Sequence, residues 1–122
     1  MTVLKPGDIL TSIRLPKEWA GARYYFEKVA DRETWDFALV NIALAMFVNG
    51  GKIQRVRVSC GGVQCVPRRL KGVEDLLTGE AINEELATMG GSSASRGAKA
   101  LNFNHFKVPL MENLVIRAIR NS

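Results

Sequence analysis

The sequence contains few of the residues from which metal and nucleophilic sites are built. Its 122 residues include two cysteines, Cys60 and Cys65, and one histidine, His105. Structural zinc and iron–sulfur sites normally take about four Cys or His ligands, so this chain is not expected to build one alone. We expect both thiols to be reduced and structural. His105 lies far along the chain from both cysteines, so no Cys/His or Ser/His/Asp arrangement is suggested.

Long apolar runs are also missing. No run approaches the roughly 18 residues that cross a bilayer, and the N-terminal stretch MTVLKPGD lacks the apolar core of a signal peptide. The expectation is therefore a cytoplasmic protein without a membrane partner. The net charge of +5 comes from 17 basic and 12 acidic residues spread through the chain, which is typical of a solvated surface. The length predicts a single domain, residues 1–122.

The most informative stretch is residues 38–60, ALVNIALAMFVNGGKIQRVRVSC. Positions 38–48 are apolar on both faces of an extended strand apart from one asparagine, which predicts a central strand covered above and below. The Asn-Gly-Gly at 49–51 is typical of a tight hairpin turn. Between 55 and 60, apolar residues alternate with arginine and serine, which predicts a partner strand with one solvated face. We therefore expect a hairpin at the centre of an antiparallel sheet.

The second half of the chain predicts three helices. Leucines and a valine form a helical stripe over 70–77, which a glycine closes. Asn83 is a suitable N-cap for a second, short helix that is expected to end at Gly90-Gly91. A last helix carries apolar residues on one side between 110 and 119, with Pro109 in its first turn or at a kink.

Two more strands are predicted before the hairpin. Asp8–Leu15 alternates between apolar and polar residues and stops at Pro16, and Ala22–Val29 is rich in aromatics. Strands followed by helices predict an α+β fold. Residues 8–62 are expected to form an antiparallel sheet of about four strands, and residues 63–122 a layer of three helices packed on one face.

A polar loop, Ala30–Asp36, separates the second strand from the hairpin. Its sequence, ADRETWD, holds four charged residues and one tryptophan. Loops carried by a rigid sheet are frequent functional sites. Composition alone leaves an alternative open, in which Trp35 folds back onto the sheet edge and the charged residues are solvated turn residues.

Several short motifs, in their order and spacing, resemble a known family. The residues that carry the resemblance are Tyr25–Lys28, Arg32, Asp36–Val40, Gly50–Ile53, Arg57-Val58, Gly61–Val63, Pro67, Arg69, Leu114-Val115 and Arg117-Ala118. Together they resemble the C-terminal domain of the FAD-binding subunit of molybdenum hydroxylases, the group of xanthine dehydrogenase, aldehyde oxidoreductase and carbon monoxide dehydrogenase. The resemblance spans roughly residues 8–119. The stretch GAKALNFNHFKVPLMENLVIRAI looks most like the bacterial aldehyde oxidoreductase branch.

The resemblance implies a part in electron transfer. In such complexes a molybdopterin subunit oxidises the substrate, an iron–sulfur subunit relays electrons, and FAD passes them on. By similarity, Lys28 and Arg32 would lie near FAD, and Trp35 and Asp36 would belong to a loop that flanks its ring. Cations suit a pyrophosphate or a reduced anionic flavin. The structural alternative is that Lys28 and Arg32 pair with acidic residues of the same loop.

Two departures limit what carries over from the family. Gln64-Cys65 follows the Gly-Gly-Val segment where the family more often has Ala-Pro. The chain also has no GxGxxG or P-loop, and the glycine pairs of its predicted sheet region are at 50–51 and 61–62. The family holds FAD on glycine-rich loops of N-terminal domains. We therefore expect this chain to share FAD with such domains or a separate subunit, and not to bind it tightly alone.

Two other functions remain open. A stand-alone interaction or scaffold module could keep the fold and lose the flavin role. A small basic nucleic-acid binder would use Arg55 and Arg57 on the solvated sheet face, near the basic residues at 68–71. The sequence gives no sign of interleaved aromatics on that face, so nucleic acid is not an expected partner. No chemistry of the chain's own is predicted.

Overall fold

The computed structural model describes residues 3–122, so the first two residues of the predicted domain 1–122 lie outside it. A four-stranded antiparallel sheet in the order β1-β2-β3-β4 is followed by three helices. The strands are β1 Arg23–Val29, β2 Val40–Asn49, β3 Lys52–Gly61 and β4 Arg68–Arg69, and the helices are α1 Lys71–Leu77, α2 Glu84–Ala94 and α3 Lys107–Arg120. A single 3₁₀ turn, Lys17–Trp19, precedes β1. The predicted α+β class is confirmed.

The hairpin of β2 and β3 builds one wall of the core. Val40, Ile42, Leu44 and Met46 alternate inward along β2 and are buried. Gly50 and Gly51 close the turn with φ of 56° and 76°, angles that favour glycine. The helices cover only this inward face, and Ala43 on the opposite face is exposed. The prediction that β2 is covered on both sides is therefore wrong for the chain as the structure describes it.

A β-bulge near the turn lets β3 place apolar residues in the core both before and after the bulge. Phe47 pairs with Arg55 and Val48 pairs with Ile53, so Gln54 is one extra residue on β3. Ile53 and Val56 are both buried although they are three positions apart. In an uninterrupted strand Ile53 would share a face with Arg55.

The helices form the other wall of the core. α1 packs on β3, α3 packs on β1 and β2, and α2 packs against both other helices. Asn83 caps α2 as predicted, because its Oδ1 accepts a hydrogen bond of 2.8 Å from the Leu86 N–H. Pro109 is the third residue of α3, in the first turn. No helix within residues 3–122 is long and apolar enough to cross a membrane.

The second helix does not end at Gly90-Gly91, as predicted, but continues to Ala94. A Cβ on Gly90 would lie 2.5 Å from Ile119 Cδ1, and one on Gly91 would lie 2.7 Å from Ile116 Cγ1 and 2.9 Å from the Glu112 carbonyl oxygen. The close approach of α3 thus explains both glycines, most strictly Gly91, which faces a backbone carbonyl, and they do not terminate the helix.

The predicted strand Asp8–Leu15 is also wrong. The segment has no strand structure, and its apolar side chains, such as Ile9 and Ile13, are exposed. Alternation of apolar and polar residues favours an extended backbone, but it does not supply a neighbouring strand with which to pair. The fourth strand is instead Arg68–Arg69, which pairs with Ser59 and Cys60 of β3.

Candidate functional site

One end of the sheet brings together two segments from the motifs singled out above. The β1–β2 loop, residues 30–39, meets the turn at Gly61-Gly62 that follows β3. Gly62 has φ of 78°, and a Cβ there would lie 2.7 Å from the Leu39 carbonyl oxygen. Lys107 of α3 donates a hydrogen bond of 2.7 Å from Nζ to the Gly62 carbonyl. The loop, the turn and the start of α3 therefore form one continuous surface.

The loop is held by hydrogen bonds that centre on Asp36. Arg32 Nε donates to Asp36 Oδ2 at 3.3 Å, and Lys28 Nζ donates to the Asp36 carbonyl at 3.0 Å. The Phe37 N–H donates to Asp36 Oδ1 at 2.9 Å. The hydrogen bond from Arg32 does most to lower the pKa of Asp36, with partial desolvation opposing it and the Phe37 N–H and the Lys28 charge assisting. The carboxylate therefore stays ionised and holds Arg32, while the Asp36 carbonyl holds Lys28 at the same end of the sheet.

Two aromatic rings project from the same loop. Trp35 is 95% exposed and Phe37 is 91% exposed. The alternative in which Trp35 folds back onto the sheet edge is therefore wrong. Of the four predicted site residues, the structure joins Lys28, Arg32 and Asp36 and leaves Trp35 free of them. Phe37 was not predicted, although its position beside Asp36 places it in the same loop.

The loop meets some of the needs of a flavin and lacks others. It offers two exposed rings and two cations, which suit a flat ring system and a pyrophosphate. The glycine pairs of the sheet region provide no open phosphate cradle. Gly50-Gly51 forms the hairpin turn, and the carbonyl oxygens of Ala38 and Leu39 occupy the space beside Gly62. Within residues 3–122, no group of three His, Cys, Asp or Glu side chains could hold a metal ion.

A second feature, the uncovered face of the sheet, adjoins this end. Cross-strand neighbours form regular rows: Tyr24, Ala45 and Arg57 in one, and Phe26, Ala43, Ser59 and Arg69 in the next. The alanines form the floor of a groove of about 400 Å³, with aromatic rings along one side and guanidinium groups along the other. We call the groove with its floor of Ala43 and Ala45 the trough. Tyr24 and Phe26 form its aromatic wall, and Arg57 and Arg69 form its arginine wall.

The arginine wall is fixed from behind by Glu74, which is only 4% exposed. Arg69 binds it in a bidentate manner, with Nη2–Oε2 of 2.6 Å and Nε–Oε1 of 2.8 Å. Arg57 Nη1 lies 3.4 Å from Oε2, and the Val58 N–H donates to Oε1 at 3.0 Å. Burial raises the pKa of Glu74, but the hydrogen bonds from Arg69 and Val58 and the two positive charges outweigh it and hold the pKa below its ordinary value.

The expectation that the arginine-bearing face lacks aromatics is wrong. Tyr24 and Phe26 of β1 are on the same face as Arg57, and Trp19 stacks on Phe47 at 5.7 Å in the row of Arg55. The alternation in ARYYFEKV indicates that Tyr24 and Phe26 share a face. The sequence did not show on which side of the sheet that face would lie, because this depends on the register of β1 against β2.

The family follows from a comparison with known proteins. Residues 24–122 match the family model of the CO dehydrogenase flavoprotein C-terminal domain. This chain belongs to that family. The resemblance to the FAD-binding subunits of molybdenum hydroxylases is confirmed, and the matching region includes the loop, the Gly61-Gly62 turn and both walls of the groove.

Curated relatives of this family member include three medium or FAD-binding subunits. The glyceraldehyde dehydrogenase medium chain of Sulfolobus acidocaldarius is 32% identical over 80 residues, 66% of this chain and 28% of the relative. The aldehyde oxidoreductase FAD-binding subunit PaoB of Escherichia coli is 29% identical over 102 residues, 82% of this chain and 30% of the relative. The nicotine 6-hydroxylase medium subunit of Paenarthrobacter nicotinovorans is 25% identical over all 122 residues, which is 42% of the relative. The chain thus spans less than half the length of these relatives.

Solved structures agree with the fold. Carbon monoxide dehydrogenase from Hydrogenophaga pseudoflava superposes with a TM-score of 0.74 at 25% identity, covering 83% of this chain and 36% of that one. Quinoline 2-oxidoreductase from Pseudomonas putida 86 gives a TM-score of 0.75 at 23% identity, over 83% of this chain and 36% of that one. The second likeness shows the fold alone.

Proposed function

We propose that this chain completes the flavin site of a molybdenum-hydroxylase FAD subunit and assists electron transfer from iron–sulfur clusters to FAD, without chemistry of its own. Its partners are the N-terminal FAD-binding domains or subunit, an iron–sulfur subunit and a molybdopterin subunit, in the cytoplasm. The observation that carries the proposal is the family match over residues 24–122, which includes the Asp36-centred loop. The cations Lys28 and Arg32 and the exposed ring of Trp35 supply the matching chemistry.

Each loop residue has a separate part in this proposal. Lys28 and Arg32 face the negative charge of the pyrophosphate or of the reduced flavin, where charge-assisted hydrogen bonds are strongest. Asp36 orients both cations and does not itself contact the cofactor. Trp35 covers an edge of the ring system and excludes water. FAD, held mainly by the N-terminal domains, supplies the redox chemistry.

Replacement of Lys28 by alanine in the assembled enzyme tests the proposal. A hydrogen bond to a charged group contributes about 1.5–3 kcal/mol, so FAD retention should weaken by roughly tenfold or more. The rate of flavin reduction, followed by stopped-flow absorbance, should fall as well. Lys52→Ala is the matched control, because Lys52 is an exposed lysine at the opposite end of the sheet. If both variants retain FAD and reduce it at the wild-type rate, Lys28 is not part of the site.

The assembly can be tested by purifying the tagged chain from its native source. The expected result is an absorbance band at roughly 450 nm, which is typical of a protein flavin. Partners that carry iron–sulfur clusters and molybdenum should purify with the chain. A colourless chain without partners would contradict the proposal and favour the stand-alone interaction module.

A further inference from the structure

We propose that the uncovered sheet face is a docking surface for a second copy of this chain, in which the aromatic wall of each copy fills the trough of the other. The inference concerns the centre of the sheet and does not depend on the flavin role of the loop. It assigns a partner to the groove formed by Tyr24, Phe26, Ala43, Ala45 and the arginine wall.

The face has the composition of a covered surface, but nothing in residues 3–122 covers the groove. Tyr24 and Phe26 are 66% and 67% exposed, and both floor positions are alanine. β2 is apolar on both faces, a pattern typical of a strand buried on both sides. Contiguous exposed apolar surface of this kind marks an interaction site in a folded protein.

The face is complementary to itself. Its three zones follow the strand order, with the aromatic wall on β1, the trough on β2 and the arginine wall on β3 and β4. A twofold axis that lies between the two sheets and runs parallel to the strands reverses this order in the second copy. The rings of one copy then lie over the alanine floor of the other and beside its guanidinium groups. Such isologous contacts form a closed dimer and do not propagate into a filament.

The pairing of ring with guanidinium already occurs within one copy, in the next row of the same face. Arg55 Cζ lies 4.7 Å from the centre of the Trp19 ring and 4.9 Å from that of Phe47. A cation over an aromatic face is attracted by the ring's negative face. The proposed interface repeats this contact between copies, using Tyr24 and Phe26 against Arg57.

Glu74 prepares the arginine wall for this contact. Its hydrogen bonds hold Arg69 and Arg57 in place before association, so little side-chain freedom is lost on binding. The carboxylate also neutralises one of the two charges, which reduces repulsion between copies that each carry a net charge of +5. Because the contact is confined to one groove, we expect a weak dimer with a dissociation constant on the order of micromolar.

Sedimentation equilibrium of the purified, nuclease-treated chain tests the proposal. Over a loading range of about 1–300 µM the mass should rise from 13.5 kDa towards twice that value. Phe26→Ser removes a ring, and Ala43→Phe fills the trough from within the same copy. Both positions are exposed in one copy, so circular dichroism should show an unchanged fold, and each variant should shift the dissociation constant upward at least tenfold.

Phe103→Ser provides the matched control, since Phe103 is 93% exposed but lies outside the groove. It should dimerise like the wild type. A wild-type chain that stays monomeric over the whole range would overturn the proposal and leave the face to a different protein. An equal loss of dimer in Phe103→Ser would show that association is nonspecific and hydrophobic, which would also overturn the proposal. A dimer that disappears only on nuclease treatment would identify a nucleic-acid partner instead.

Discussion

The close approach of α2 and α3 at Gly90 and Gly91 predicts a graded response to added methyl groups. In Gly91→Ala the new Cβ would meet a backbone carbonyl, that of Glu112, at 2.9 Å. A carbonyl in a helix cannot move aside alone, so α2 and α3 must separate. In Gly90→Ala the nearest atom is the terminal methyl of Ile119, which can rotate away. Gly72, near the start of α1, has only Ser93 Oγ at 3.6 Å, an ordinary contact.

The magnitudes follow from two opposing effects. Glycine to alanine in a helix gains up to about 1 kcal/mol from backbone propensity. Overpacking a core costs about 1–3 kcal/mol, and the backbone contact at Gly91 belongs at the upper end of that range. We therefore expect Gly91→Ala to lower the free energy of unfolding by about 2 kcal/mol. Gly90→Ala should change it by less than about 1 kcal/mol, and Gly72→Ala should raise it by about 0.5 kcal/mol.

Thermal unfolding followed by circular dichroism can resolve these differences. An unfolding entropy of about 2.1 cal/mol/K per residue gives roughly 4 °C per kcal/mol for 122 residues. The expected shifts in Tm are therefore about −8 °C for Gly91→Ala and about +2 °C for Gly72→Ala. A Gly91→Ala protein that melts at or above the wild-type temperature would refute the reasoning, because it would mean that no backbone of α3 lies against this glycine.

Two further predictions concern buried groups. Glu74→Gln should lower the free energy of unfolding at neutral pH by about 1–3 kcal/mol, less than for a fully buried pair because its arginine partners are half exposed. The folded-state pKa of Glu74 is depressed, so its contribution to the free energy of unfolding is present above the unfolded pKa of about 4.3 and is lost as the pH falls. Urea titrations should therefore show that the difference in free energy of unfolding between Glu74→Gln and the wild type shrinks below that pH. Glu85→Gln, an exposed change, should show neither effect. Burial raises the pKa of Cys60, while Cys65 is exposed. A thiol reagent should therefore modify one cysteine in the folded chain and two in urea. Rapid modification of both cysteines in the folded chain would contradict the buried position of Cys60.

Local patterns predicted the elements whose neighbours are close in sequence. The β2–β3 hairpin, its glycine turn and the Asn83 cap each depend on contacts within a few residues, and all three are found. The class of the fold could also be predicted, because strands come before helices along the chain. The family resemblance added the loop residues Lys28 and Arg32, which periodicity alone does not distinguish from other surface cations.

Failures occurred where the answer depends on residues far apart. Asp8–Leu15 has the alternation of a strand, but no other strand pairs with it. Gly90-Gly91 has the composition of a helix end, and only the position of α3 explains why glycine occurs in the middle of a helix. Tyr24 and Phe26 reach the arginine face through the register of three strands. Register normally follows from which residues are apolar, but β1 carries aromatic residues at 24, 25 and 26, so its pattern does not show which face turns to the core.

Gln54 gives β3 one residue more than a regular pairing with β2 needs. The bulge absorbs this residue, so Ile53 and Val56 both face the core although they are three positions apart. Deletion of Gln54 would leave these two side chains two positions apart, on one face of a regular strand, and the arginines of β3 would keep the opposite face. The hairpin should therefore tolerate the loss of this one residue, and the arginine wall does not depend on the bulge that precedes it.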